Sequence, residues 1–291
     1  MTAILGLSYL DGILMMADTE ESLGGDAKSE CDKLYRFIFP SGTVITGGAG
    51  DSHLIDCANQ DLHQFFAHKV KVTPQEILET LNGFALKFQE EAISPLKGFQ
   101  YEPGLEMLIA VNCNKQSTLL FKWKQSRVIW IAPPQHTSIG AGVVQIHPML
   151  RDVQFAASKE CMLFHGLRMM YHAKRAVAGV GGKTEAVALQ NDGATHYFGT
   201  IATQKIEELI INYDHFITGV LDGNVSTIAV TDTRIEPEME ANVEKFFADL
   251  PRLLKDYRQA YKDILNPQLA VQRSKGSSPA GSRKPRKSAT P

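Results

Sequence analysis

The chain has 291 residues, 44% hydrophobic and 21% charged, a balance that supports one substantial core or two modest ones and excludes wholesale disorder and collagen-like repetition. Its formal charge of −2, from 30 basic and 32 acidic residues, argues against strong attraction to nucleic acid or to an anionic membrane. That average hides a division. Val271 to Pro291 carries Arg273, Lys275, Arg283, Lys284, Arg286 and Lys287 with no acid, for +6, which leaves 24 basic against 32 acidic residues, or −8, in the rest.

Thr2 to Tyr9 and Ile13 to Ala17, joined by the turn dipeptide Asp11-Gly12, read as a hairpin. Tyr35 to Phe39 and Thr43 to Thr46, around Pro40-Ser41-Gly42, read as a second. Gly47-Gly48-Ala49-Gly50 then reads as a tight strand-to-helix turn, and Asp51 caps a helix with Leu54, Ile55, Leu62 and Phe66 at helical spacing. Thr73-Pro74-Gln75-Glu76 is a capping box that opens a helix to about Ile93. Strands follow over Glu106 to Cys113, Ser117 to Trp123 and Val128 to Ile131, and Gly140-Ala141-Gly142 closes that block. A helix is predicted from about Asp152 to Ala178, with Lys174 and Arg175 at its negative end and glycines stopping it. A hairpin around Asn191-Asp192-Gly193 comes next, although Lys183 to Ala188 also fits a helix. Ile206 to Tyr213 and Ser226 to Thr231 are strand-like.

Strands, two helices, strands, a helix and strands again predict an α+β layered domain over 1–236 rather than a doubly wound sheet. A helical extension is expected over 237–266, from the spacing of Val243, Phe246, Leu250, Leu254, Tyr257 and Ile264. A disordered basic tail is expected over 267–291. The four cysteines, Cys31, Cys57, Cys113 and Cys161, offer no close pair for zinc or dithiol chemistry, so free thiols are expected. No metal spacing occurs among the histidines, and no cofactor motif is found. The apolar start lacks a basic n-region and a cleavage site. No run reaches the roughly 18 apolar residues of a membrane span. A cytoplasmic protein with no membrane partner is the expectation.

Methionine followed by a small residue is commonly trimmed, and its loss would leave Thr2 with hydroxyl and amine on one residue. A threonine hydroxyl alone is a poor nucleophile, but an adjacent α-amino group of pKa about 7.7–8.0 can take its proton near neutrality. Thr2-Ala3-Ile4-Leu5-Gly6, the Asp11-Gly12 turn, Ala17-Asp18-Thr19, Lys33 and Gly47-Gly48-Ala49-Gly50-Asp51 together resemble the proteasome β-subunit and HslV-type branch of the N-terminal nucleophile hydrolases. The resemblance covers about Thr2 to Thr233 and implies a four-layer αββα sandwich whose first strand presents the nucleophile in a cleft.

Carried over by position, the resemblance implies Thr2 as nucleophile and base, Asp18 and Lys33 as its charged neighbours, and Gly47 as the oxyanion donor. An ammonium near the hydroxyl favours its deprotonated form, and a carboxylate orients that ammonium. A glycine lets the backbone approach developing negative charge. Glu21, Cys31, Tyr35, Ile45 and Ala49 would line the substrate pocket, with Ile45 near its floor favouring apolar side chains. The family's supporting hydroxyl and carboxylate positions are occupied here by Ala141, Val177 and Val180, for which Ser138, Thr184 or a water would have to substitute.

The expected function is a threonine peptidase that cuts polypeptide through an acyl-enzyme, inside a homo-oligomeric ring, with an ATPase partner left open. The alternatives are a silent structural subunit and an amidase acting on a small amide with the same nucleophile.

Overall fold

The computed structural model of the chain describes residues 2–22, 28–67, 73–98, 104–151, 153, 158–208 and 210–211, all within the unit Met1–His215. The strand expected over 226–231, the helical extension and the basic tail lie outside the described residues.

Two antiparallel five-stranded sheets carry the fold. The first has the order β10-β1-β2-β11-β12, formed by Thr137–Gly140, Ala3–Tyr9, Gly12–Asp18, Thr184–Gln190 and Thr195–Phe198. The second has the order β5-β6-β7-β8-β9, formed by Leu34–Phe39, Gly42–Gly50, Leu105–Cys113, Ser117–Lys124 and Arg127–Ile131. Between β2 and β5 a short hairpin pairs β3 (Glu20–Ser22) with β4 (Lys28–Glu30).

Every residue of β1 and β2 is buried, which requires cover on both faces of the first sheet and explains their nearly unbroken apolar runs. On one face Ile4, Ile13, Met15, Ala17, Val187 and Leu189 share a core with Ile45, Leu108, Ala110 and Leu120 of the second sheet. On the other, α4 (Lys159–Ala176) packs on β1 and β2, and α3 (Val143–Leu150) packs on α4. The far face of the second sheet contributes Val44, Met107, Ile109, Phe121 and Trp123 to a core with Leu54, Leu62 and Phe66 of α1 (Ser52–Ala67) and Ile77, Leu81 and Phe88 of α2 (Pro74–Phe88). The fold is thus a mixed α+β one built on antiparallel sheets. Truncating one of these buried side chains to alanine typically costs about 2–5 kcal/mol.

Local signals set the helix starts. The Leu54 amide donates to Asp51 Oδ1 at 3.1 Å. The Thr73 side chain accepts from the Glu76 amide while Glu76 Oε2 accepts from the Thr73 amide at 2.8 Å. Ser158 caps α4 by accepting from the Cys161 amide at 3.2 Å.

Several expectations change. The glycine run is strand rather than turn: β6 continues to Gly50, paired with β7 throughout, and the chain leaves it at Gly50 with φ +127°. The α2 helix ends at Phe88 and continues through a π-helical turn over Gln89–Ile93. The predicted long helix begins at Lys159, and α3 and β10 occupy stretches to which no element was assigned. Lys183 to Ala188 belongs to strand. Residues 200–208, in part predicted as strand, are helical (α5). Among the described residues no helix is long and apolar enough to cross a membrane.

Candidate active site

Thr2 leads into β1 beside the ends of three other elements. Its hydroxyl accepts a hydrogen bond from Lys33 Nζ at 3.2 Å. The same ammonium lies 3.1 Å from Asp18 Oδ1 and donates to the Glu20 carbonyl, so its three protons have three acceptors. Asp18 is fully buried and Lys33 nearly so. Asp18 also accepts from the Ala3 amide at 2.8 Å and the Gly181 amide at 3.1 Å. Residues 2, 18 and 33, separate in sequence, are thereby joined through one ammonium. A buried charge needs such a set of partners, because an unpaired one is costly.

Beside this cluster opens a cavity of about 800 Å³. Thr2, Glu21, Cys31, Lys33, Tyr35 and Ala49 line it, as do Gly48, Gly50, Gly140 and Ala141. Gly140 has φ +83°, and a Cβ there would lie 2.2 Å from the Thr2 carbonyl oxygen. No other residue fits so close to the end of β1.

One expected lining residue and the expected oxyanion donor are placed elsewhere. Ile45 is fully buried in the core between the sheets, and Gly47 is not among the cavity residues. Position along β6 explains this: 45 and 47 share a face with Ala49 toward the first sheet, but they precede the end of the strand that reaches the cavity, and an added Cβ at Gly47 would meet Ile4 and Leu34. The ladder also decides which amide is free. Asp51 donates to the Gly104 carbonyl, which in the β6–β7 register makes the odd residues of β6 the ones bonded to β7. The Gly47 amide is therefore turned to β7. The Gly48 and Gly50 amides are turned to the β5 side, where pairing has stopped at Leu34 opposite Gly47. These two amides, not that of Gly47, face the open edge.

The lining is acidic. Glu21, Asp32, Asp56 and Glu106 contribute four carboxyls, of which Glu106 is paired with Lys124, while the Lys33 ammonium is held by Asp18. Asp56 Oδ1 accepts from the Tyr35 hydroxyl at 3.3 Å, and burial followed by the Asp56 charge pushes the Tyr35 pKa up to about 12. Burial alone would raise the Glu106 pKa, but the hydrogen bonds from Lys124 and from the Gly140 amide outweigh it, so Glu106 is held below its ordinary value. Cys31 is a free thiol whose pKa is raised, by burial first and Glu21 next. It is held as a thiol, the form that is a poor nucleophile.

Ala141 lines the cavity with a methyl group. Ser138 sits opposite Leu5 in the β1–β10 register, and its hydroxyl is buried without a partner. The Thr184 hydroxyl is held by Lys174 at 2.7 Å and by Glu207. Among the described residues Lys33 is the side chain hydrogen-bonded to the Thr2 hydroxyl, and no group of three or more His, Cys, Asp or Glu is placed to hold a metal ion.

Sequence reasoning missed Glu185. Its Oε2 accepts from the Lys33 and Leu34 amides, each at 3.1 Å. The only available signal was a carboxylate inside an apolar strand, Thr184–Gln190.

No protein-family model matches the chain, and no curated protein does. Solved structures do. Anbu (ancestral beta-subunit) from Yersinia bercovieri superposes with a TM-score of 0.59 at 15% identity, covering 80% of this chain and 100% of that one. The Anbu Gly-1 mutant from Hyphomicrobium sp. strain MC1 gives 0.59 at 14%, covering 75% and 97%. The helical assembly of the Anbu complex from Pseudomonas aeruginosa gives 0.63 at 13%, covering 81% and 99%. These findings correct the resemblance drawn from the sequence: the neighbours are Anbu proteins, a proteasome-like but distinct family, and an HslV-type assignment is not supported. At such identities the likeness establishes the fold, which is proteasome-like.

Proposed function

We propose that this proteasome-like chain is a threonine peptidase of the N-terminal nucleophile type, acting on polypeptide through Thr2. The observation that carries the reading is the Lys33 ammonium, placed 3.2 Å from the Thr2 hydroxyl and 3.1 Å from buried Asp18 at the wall of an open cavity. Removal of whatever precedes Thr2 frees its amine. That amine takes the hydroxyl proton through a water, and Oγ1 attacks the substrate carbonyl. The Gly48 amide, on the open edge of β6, receives the developing oxyanion, the role expected of Gly47. Collapse forms an ester on Thr2 and expels the substrate amine, which leaves with the proton. Water then attacks the ester, releasing the acid and restoring the hydroxyl.

The open edge at Gly48 to Gly50 suits an extended polypeptide, which can satisfy backbone groups left by the end of β5. The packing of helices outside the paired sheets is read as the four-layer αββα sandwich, and self-association is proposed by analogy with the Pseudomonas aeruginosa assembly. Native mass spectrometry of the cytoplasmic protein tests that step, and a monomer would remove it.

A silent subunit is the second reading, favoured by Ala141 at the cavity wall and by the distance of Ser138 from Thr2 in the strand register. Intact-mass analysis decides between them. A mature chain that begins at Thr2 and is labelled there by a threonine-directed electrophile supports the peptidase, whereas a blocked or retained residue ahead of Thr2 supports the silent subunit. Turnover of small amides with no cleavage of unfolded polypeptide would support the amidase instead.

A further inference from the structure

The three residues that precede β5 form no strand, yet they carry Lys33. At one end the Cys31 amide donates to the Thr19 carbonyl at 2.9 Å, and at the other the ladder resumes at Leu34 opposite Gly47. Between these points the backbone is held from the other sheet. Glu185, on β11 and only 9% exposed, lies opposite Ala17 in the β2 register. Its Oε2 accepts both the Lys33 and the Leu34 amides, at 3.1 Å each.

We propose that Glu185 is the positioning residue for Lys33: by holding two consecutive amides across the sheets it sets the backbone from which the ammonium reaches both Thr2 and Asp18. The proposal rests on the reading of Thr2 as nucleophile only for its consequence in rate; the positioning itself is read without turnover. Lys33 is nearly buried, which leaves its stem little room to absorb a shift of its backbone, and misplacement of a catalytic group by about 1 Å can cost about 100-fold in rate.

The site also explains why a carboxyl is tolerated there. Glu185 Oε1 is buried with no hydrogen-bond partner, and the carboxyl facing it is that of Asp32, with the Cys31 thiol nearby and the Lys33 ammonium turned away to Asp18. Burial first, and then the neighbouring Asp32 carboxyl, push the Glu185 pKa up to about 8. The group is therefore biased toward its protonated form, in which Oε2 still accepts the two amides. A carboxyl raised in the folded state from 4.5 to about 8 stabilises fully below the lower value and loses that contribution as pH rises through the upper one.

The test compares Glu185→Met, which keeps the volume without an acceptor, with Glu185→Gln, which keeps the acceptor without the titration. Amide hydrogen exchange at Lys33 and Leu34 and peptide kinetics are read on the full chain. The expected result for Met is loss of protection at both amides and a 10- to 100-fold fall in kcat, with KM within about twofold; Gln restores both. In the Thr2→Ala chain, carboxyl NMR is expected to show Glu185 titrating near pH 8, with the Lys33 amide shift following the same midpoint. Retained protection or wild-type kcat in the Met variant, or a Gln variant that restores neither, overturns the proposal. If the wild-type chain hydrolyses nothing, the peptidase reading fails, and exchange with the NMR titration alone decides whether Glu185 holds Lys33.

Discussion

Among the polar ties that cross between the sheets, two are built differently. Asn112, fully buried at the end of β7, donates through Nδ2 to the Gln190 carbonyl at 3.0 Å and the Asn191 carbonyl at 2.9 Å. Thr118 completes that tie, its amide donating to Asn191 Oδ1 and its hydroxyl to the Gln190 carbonyl, both at 3.0 Å. It is neutral and fastens the β11–β12 turn. The tie at Thr2 is ionic, lies against a cavity of about 800 Å³, and leaves Glu185 Oε1 buried without a partner. A neutral clamp needs nothing further to be stable, whereas a buried ammonium and two buried carboxyls beside open space are expensive to maintain. Perturbed or imperfectly satisfied ionisable groups in a cleft point to chemistry, and a satisfied amide points to structure.

Thr2→Ala should cut that comparison most sharply. Hydrolysis is expected to fall by on the order of 10⁴-fold or more, with thermal unfolding little changed, because the hydroxyl is an acceptor for Lys33 and not part of the core. Retained turnover in peptide assays would end the mechanism. Lys33→Met tests the ionic tie itself. It leaves Asp18 fully buried without its ammonium, so a loss of about 3–5 kcal/mol in denaturant unfolding is expected, partly recovered when Asp18→Asn is added.

The neutral tie should behave otherwise. Asn112→Ala leaves buried carbonyls at 190 and 191 without their donor, at a cost of about 1–3 kcal/mol. The rate of electrophile labelling at Thr2 is expected to stay within about twofold at 25 °C; a large change would mean that the two ties are coupled. The smallest expected effect concerns substrate charge. With four carboxyls on the cavity wall, peptides carrying Lys or Arg beside the cut should exceed acidic ones by about tenfold in kcat/KM, equivalent to about 1.4 kcal/mol. Glu21→Gln should shrink the ratio, as should salt. A preference for apolar peptides would show that the charge of the wall does not set specificity.

Local chemistry made much of this legible. The Asp11-Gly12 and Pro40-Ser41-Gly42 turns, the Asp51 and Thr73 caps, and the β7, β8 and β9 runs are determined by neighbours within a few residues, and the elements stand close to where they were expected. The failures share a cause. The polar triplets Glu20–Ser22 and Lys28–Glu30 carry no apolar period and are strands because they pair with each other. Gly47 to Gly50 reads as a turn in isolation, but β7 supplies it with a full set of partners. Residues 200–208 contain β-branched side chains yet form a helix whose Thr203 hydroxyl donates to the Thr184 carbonyl at 2.6 Å.

The site divides along the same line. By itself the sequence offered the candidates, a threonine able to become a free N-terminus, one aspartate, one lysine and a glycine run, through a resemblance carried by short motifs, while local turns fixed only where strands begin and end. Only the tertiary structure decided that Gly48 rather than Gly47 presents its amide to the open edge, that Ile45 belongs to the core, that the cavity is acidic, and that Glu185 holds Lys33 from 152 residues away. Ladder parity and contacts between sheets depend on which strand lies alongside which, and no local pattern in the chain encodes that.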